Sequence, residues 1–167
     1  CIRDSHYLYA VLRAVNEIPE FRFRIDAEGR VVYFDHVDML TPIKVKENGR
    51  FFTIRLPWNT DFQTFYTTAK AIINDIDPNG NPYDMEKVGG KDLLDVILLS
   101  ATPDLYFTSL TCTQEHRHGS NYPLMNAGKA ILKEGKLVMP IAMTIHHGFI
   151  DGHHLSLFYK KVEKFLK

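Results

Sequence analysis

Imidazole is the side chain best suited to moving a proton near neutral pH, and four of this chain's eight histidines fall within one short stretch. That stretch reads Thr144-Ile145-His146-His147-Gly148-Phe149-Ile150-Asp151-Gly152-His153-His154. An apolar run ends at two histidines, a short turn leads to Asp151-Gly152, and a helix is expected to begin there. Groups placed where a strand gives way to a loop are held by the scaffold yet can reach a ligand. His147 is therefore a candidate general base. The alternative for the same residue is a packed, hydrogen-bonded core histidine, and His146 reads as structural. His146, His147, Asp151, His153 and His154 also raise the question of a metal. Neighbouring strand residues face opposite ways, which argues against a shared ion, and no metal is expected. His116-x-His118 reads as a solvated loop, and Cys112 as a small buried apolar residue. The chain has no G-x-S-x-G, so a hydrolase-type serine nucleophile is unsupported.

The elements that must position these groups follow from pattern. Asp4 or Ser5 is expected to cap a helix running through Tyr7, Leu8, Val11, Leu12, Val15 and Ile18, ended by Pro19. Phe21, Phe23 and Ile25 alternate with arginines and, across the turn at residues 26–29, pair with residues 31–34 as a hairpin. Phe51 to Leu56 reads as a strand. Asn59 or Thr60 is expected to cap a helix carrying Phe62, Phe65, Tyr66, Ala69, Ile72, Ile73 and Ile76. Residues 77–91, with two prolines and three glycines, read as a loop. Leu93 to Ser100 is almost continuously apolar, as in a strand buried on both faces, and Leu105 to Cys112 reads as another strand. Gly128 to Leu132 and Lys136 to Ile145 form a hairpin. A last helix after Gly152 shows Leu155, Phe158, Tyr159, Val162, Phe165 and Leu166 on one face. The order is neither alternating βα nor all-β. It predicts an α/β chain of the α+β two-layer kind, a mixed β-sheet with helices packed on one face.

With 167 residues the chain suits a single domain, 1–167. Lysine plus arginine equals aspartate plus glutamate at 20 each, so no general attraction for nucleic acid or anionic membrane is expected. Two cysteines are too few for a disulfide framework, which points to a reducing, cytoplasmic location. No stretch approaches the ~20 apolar residues of a membrane span.

The pattern H-H-x-x-x-D-G at His146 to Gly152 resembles the signature of the chloramphenicol acetyltransferase family. Leu99-Ser100-Ala101-Thr102-Pro103 resembles the family's S-A-x-P segment. Phe107-Thr108-Ser109, Pro123 to Lys129 and Leu137-Val138-Met139-Pro140 are similar to its following segments. Asn16, Glu20-Phe21-Arg22 and Val31 to Asp35 look like its first hairpin. The resemblance thus spans nearly the whole chain and implies the coenzyme A-dependent acyltransferase fold. It implies His147 as the base that deprotonates an acceptor hydroxyl and Ser100 as a donor to the oxyanion. Asp151 becomes a structural support that holds the turn through an arginine. The donor would be acetyl-CoA, with Lys129 near it, and transfer would be direct, without an acyl-enzyme. The partners implied are a small-molecule hydroxyl acceptor, chloramphenicol or a similar one, and two further copies in a homotrimer with active sites between subunits.

Some positions depart from the family pattern. The chain is expected to lack a family N-terminal segment that carries the arginine for Asp151. Asn126 stands where the family has threonine, and its amide can still donate a transition-state hydrogen bond. Leu110 and Cys112 replace larger apolar residues, and Asp104 and Ala130 replace aromatics. Two further readings stay open: a dihydrolipoamide acyltransferase-like core, and a non-catalytic trimeric homologue that binds small molecules. Against the former, the residue before His147 is a histidine, where those enzymes carry aspartate.

Overall fold

A computed structural model describes residues 2–45, 49–82, 84–90, 93–111 and 122–167. Cys112 and the His116-x-His118 stretch lie outside the described residues. The chain begins with helix α1 (Ile2–Asn16), already under way at Asp4 and Ser5, so neither residue is its cap. A 3-10 turn at Pro19–Arg22 takes Phe21 out of the expected strand. The first hairpin then pairs β1 (Phe23–Ile25) with β2 (Val31–Tyr33).

The main sheet has five strands: β3 (Asp38–Lys44), β4 (Phe51–Leu56), β5 (Val96–Ala101), β6 (Leu124–Ala127) and β9 (Ile141–Thr144). Their order is β4-β3-β5-β6-β9. β3 is antiparallel to β4 and parallel to β5, β5 is parallel to β6, and β6 is antiparallel to β9. This is the mixed sheet expected. Strand β3 has no counterpart among the strands expected from sequence, because Asp38 and Pro42 interrupt its apolar pattern. Pro42 is tolerated because it lies beyond Leu40, the last residue paired to β5.

Alternation divides the sheet into two faces. Met39, Ile54, Leu56, Ile97, Leu99, Met125 and Ala127 are buried in one core with α1, α2 (Phe62–Asn74) and α4 (Gly152–Phe165). Helices α1, α2 and α4 therefore cover one face, and the short helix α3 (Met85–Val88) lies on the other. The other face carries Leu40, Val96, Leu98, Ser100, Leu124, Asn126, Ala142 and Thr144. Among the described residues, Val88 and Leu93 close its end near Leu40 and Val96. Val88 ends α3, which lies within the expected loop.

Helix α2 is capped by Asp61, not by Asn59 or Thr60. Its carboxylate accepts from Thr64 N at 2.7 Å and Thr64 Oγ1 at 2.8 Å, while Asn59 Oδ1 accepts from the Asp61 N–H at 2.8 Å. The side chain of Arg24, 1 % exposed, ties the first hairpin to the start of β5. It donates to the carbonyls of Phe21, Phe23, Leu94 and Val96 at 2.7–2.8 Å. Burial pulls its pKa down to about 10 against the pull of the Asp95 carboxylate, so it stays charged at neutral pH, and the four oxygens satisfy its buried N–H groups.

Two strand expectations are corrected. Residues 105–111 form no strand; they cross over the end of β6, where Lys129 N donates to Leu105 O at 2.8 Å. The long second arm of the expected hairpin is broken at Met139-Pro140 into β8 (Lys136–Val138) and β9, with only β8 pairing back to β7 (Ile131–Lys133). Gly128 is the reason both segments fit. A Cβ there would sit 2.7 Å from Phe107 and Pro140 and 2.8 Å from the carbonyl oxygen of Leu105. We predict that Gly128→Ala, forcing backbone apart, lowers stability by about 1–3 kcal/mol in urea unfolding; an unchanged midpoint would contradict this packing.

Candidate active site

The apolar strand β9 ends at Thr144, and a turn carries the chain to α4. The His146 carbonyl accepts from the N–H groups of Phe149 at 3.0 Å and Ile150 at 3.1 Å, which closes the turn. Ile145 and Phe149 anchor it on the core, and Ile150 is buried. His146 and His147 are left exposed. The His146 ring packs on Phe149, with ring centres 4.8 Å apart. Because β9 stops earlier, both histidines belong to the turn, and strand alternation does not set their directions. His147 Nδ1 lies 3.1 Å from the carbonyl oxygen of Ile150. A carbonyl can only accept, so Nδ1 carries the proton and Nε2 keeps its lone pair for solvent or ligand.

Asp151 holds the other end of the turn as the N-cap of α4. One carboxylate oxygen accepts from His153 N at 2.9 Å and His154 N at 3.2 Å. His154 Nδ1 lies 3.2 Å from Asp151 N and 2.7 Å from that same oxygen. A neutral ring accepts from the N–H and completes a capping box, and a protonated ring donates to the carboxylate. The His154 N–H and then that of His153, with the His154 ring, hold the Asp151 carboxyl below the usual carboxylate range. Asp151 is thus structural, with backbone and His154 as its partners among the described residues.

Ser100 and Asn126 stand side by side on the open face, paired across β5 and β6. Thr102, two residues beyond Ser100, donates from Oγ1 to Asn126 Oδ1 at 3.0 Å, and its N–H bonds Ala127 O at 2.8 Å. Among the described residues no protein group bonds the Ser100 hydroxyl or the Asn126 NH2. Lys129 is exposed just past β6, and Asp104 and Ala130 are exposed too. Thr102, bonded to Asn126, is not among the residues singled out from sequence; its place two positions after Ser100 is the signal that could have found it.

The structure does not bring His147 to Ser100 within one chain. Asn126 faces Ala142 on β9, whereas Thr144 faces Leu124, at the opposite end of β6. His147 follows Thr144 by three residues, in the turn beyond the end of β9. No hydrogen bond or ion pair joins the two groups among the described residues. A cavity of about 460 Å³ lies elsewhere, between β4, α2 and α3, and is lined by Phe52, Arg55, Ile72, Ile76, Lys87 and others, none of them a site candidate. Among the described residues no three His, Cys, Asp or Glu side chains cluster as a metal site, and no helix is long and apolar enough to cross a membrane.

The cap makes a pH prediction. A carboxylate held below its unfolded value of about 3.9 stabilises above that pH, and the gain is lost as pH falls through the lower folded value. The melting temperature of Asp151→Ala should therefore lie below that of the unaltered protein from pH 7 to about pH 4, the gap closing below it. A gap unchanged at pH 3 would contradict an ionised cap.

The sequence model of the family described as "Chloramphenicol acetyltransferase" matches residues 5–163. A chloramphenicol acetyltransferase of Staphylococcus intermedius is 26% identical over 162 residues, covering 96% of this chain and 73% of that protein. One of Clostridium butyricum is 27% identical over 157 residues, covering 94% and 70%. A solved structure of a chloramphenicol acetyltransferase is 68% identical with a TM-score of 0.89, covering 98% of this chain and 77% of that one. The cubic core of the pyruvate dehydrogenase multienzyme complex shares the fold alone, at 16% identity and a TM-score of 0.65, over 97% of this chain and 67% of that one. The fold is that of the coenzyme A-dependent acyltransferases. The chain belongs to the chloramphenicol acetyltransferase family, and with it to the acetyltransferases.

Proposed function

We propose that this chain moves an acetyl group from acetyl-CoA to a hydroxyl of a small molecule, chloramphenicol or an acceptor like it, with His147 as general base. The observation that carries the reading is the 3.1 Å contact of His147 Nδ1 with the Ile150 carbonyl, which leaves Nε2 as the basic nitrogen at an exposed strand end. Nε2 takes the proton from the acceptor hydroxyl as its oxygen attacks the thioester carbonyl. The Ser100 hydroxyl and the Asn126 NH2, which have no protein partner among the described residues, donate to the oxyanion that forms. Collapse of the tetrahedral intermediate breaks the C–S bond. The leaving thiolate then recovers the proton from His147, so no acyl-enzyme arises. Asp151 keeps the turn in shape through the start of α4. Lys129 lies next to β6 and is the residue assigned to the coenzyme.

Base and oxyanion donors lie at opposite ends of one sheet, so the reading requires the base of one subunit to meet the donors of the next. A closed ring of copies satisfies that requirement at every interface, and we assign the protein as a homotrimer. Residues 1–167 act as one acetyltransferase domain, and the cytoplasm is the compartment this chemistry implies.

Thiol release from acetyl-CoA in the presence of chloramphenicol tests the reaction. Replacing His147 by Ala should lower kcat by about 10²–10⁴-fold, and Ser100→Ala by about 10²–10³-fold. Dihydrolipoamide as acceptor should show no His147-dependent turnover. Release that persists in the His147→Ala protein would sink the reading. Co-refolding the two inactive variants in equal amounts should restore roughly a quarter of the native sites, since base and donors come from different subunits. No recovery would overturn the shared site.

A further inference from the structure

We infer that Thr102 is a positioning residue that aims the Asn126 amide at the reacting carbonyl; this rests on the reading of Ser100 and Asn126 as oxyanion donors. The argument begins with the amide itself. Asn126 has an acceptor end and a donor end of nearly equal shape, and an oxyanion is stabilised by the donor end alone. The Thr102 hydroxyl, 3.0 Å from Oδ1, supplies a proton that requires an acceptor. That bond turns the NH2 away from Thr102. Among the described residues nothing competes for the NH2 and nothing bonds the hydroxyl of Ser100, the register partner of Asn126, which is the second donor beside it.

Thr102 can hold the amide because it is held itself. It follows β5 directly, and its N–H donates to Ala127 O at 2.8 Å. Its Oγ1 lies 3.5 Å from that same carbonyl oxygen, so Asn126 offers the shorter bond. Thr102 sits two residues after Ser100, just past the end of β5, and its bond to Asn126 places its hydroxyl beside the amide. It reaches the reacting atoms only through Asn126.

Steady-state kinetics with acetyl-CoA and chloramphenicol test this assignment. Thr102→Val keeps the shape and removes the hydroxyl. It should lower kcat by about tenfold, less than losing an oxyanion donor outright, with both KM values within about twofold, because an interaction made in the transition state has gone. Thr102→Ser should recover most of the rate. In an Asn126→Ala background, Thr102→Val should have no further effect, since no amide remains to be aimed. An unchanged kcat in Thr102→Val, while Ser100→Ala and His147→Ala lose activity, overturns the inference and leaves the site reading intact. A loss equally large in the Asn126→Ala background, accompanied by a lower melting temperature, also overturns it by making Thr102 a fold residue. If Ser100→Ala and His147→Ala both turn over like the unaltered protein, the site reading and this inference fall together.

Discussion

The site rests on the two different pairings of β6. It runs parallel to β5 and antiparallel to β9, in registers that align Ser100, Asn126 and Ala142 in one row. Side-chain period and register are inseparable in a sheet: a one-residue slip would send Ser100 and Asn126 into the helix-covered core and expose Leu99 and Met125. Those two apolar residues are each 1 % exposed, so their burial fixes the register and thereby the outward direction of the polar pair. The same antiparallel turn of β9 carries His147 away from that row. One constraint thus sets Ser100 and Asn126 side by side and puts His147 beyond the other end of β6.

The remaining elements hold that sheet in place and the His147 turn at its rim. Arg24 anchors the first hairpin on residues 94–96 with four carbonyl bonds, and a buried guanidinium tolerates no substitute lacking that donor geometry. Arg55 bridges Asp38, at the start of β3, at 2.7 Å and Asp95, just before β5, at 2.6 Å, joining the parallel strands where they begin. Helices α1 and α4 pack together through Lys161 and Glu17 at 2.7 Å and through Arg13 over the Phe165 ring at 4.2 Å. Burial works against the Glu17 carboxylate, but the bonds from Lys161 and Arg13 outweigh it and hold its pKa below the ordinary range. Helix α4 is thereby fixed at both ends, and its capped N-terminus gives the His147 turn a rigid floor.

What could be read from sequence was what local pattern encodes. The helical spacing of α1, α2 and α4, the first hairpin, and the apolar core strand β5 each follow from their own residues, and together they carried the two-layer fold. The H-H-x-x-x-D-G motif and Ser100 were legible because the acetyltransferase resemblance is written in contiguous residues. Strand β3 was not, because its strand character comes from neighbours on both sides while Asp38 and Pro42 argue locally for a turn. Residues 105–111 were misread for the opposite reason. Their apolar content suits a strand, but Gly128 lets them cross over β6, a tertiary contact with no local signature. The Nδ1 contact of His147, the cap role of Asp151 and the Thr102–Asn126 bond likewise arise only once distant segments meet.

Asn126 shows how one local change demands another. A threonine hydroxyl is a rotor: its single proton turns towards whichever acceptor develops, so no neighbour has to aim it. An amide is planar, and a half-turn about its terminal bond exchanges acceptor for donor. Turned the wrong way beside a developing oxyanion, Oδ1 would repel the charge that the threonine would have stabilised. A site that uses asparagine therefore needs a group that can only be satisfied by Oδ1 and cannot itself move. Thr102 favours that orientation, since its O–H lies 3.0 Å from Oδ1 but 3.5 Å from Ala127 O, and its own N–H is fixed to Ala127. The amide then presents two N–H donors in a preset direction without reorganising during the reaction, which is the condition under which such donors lower a barrier most.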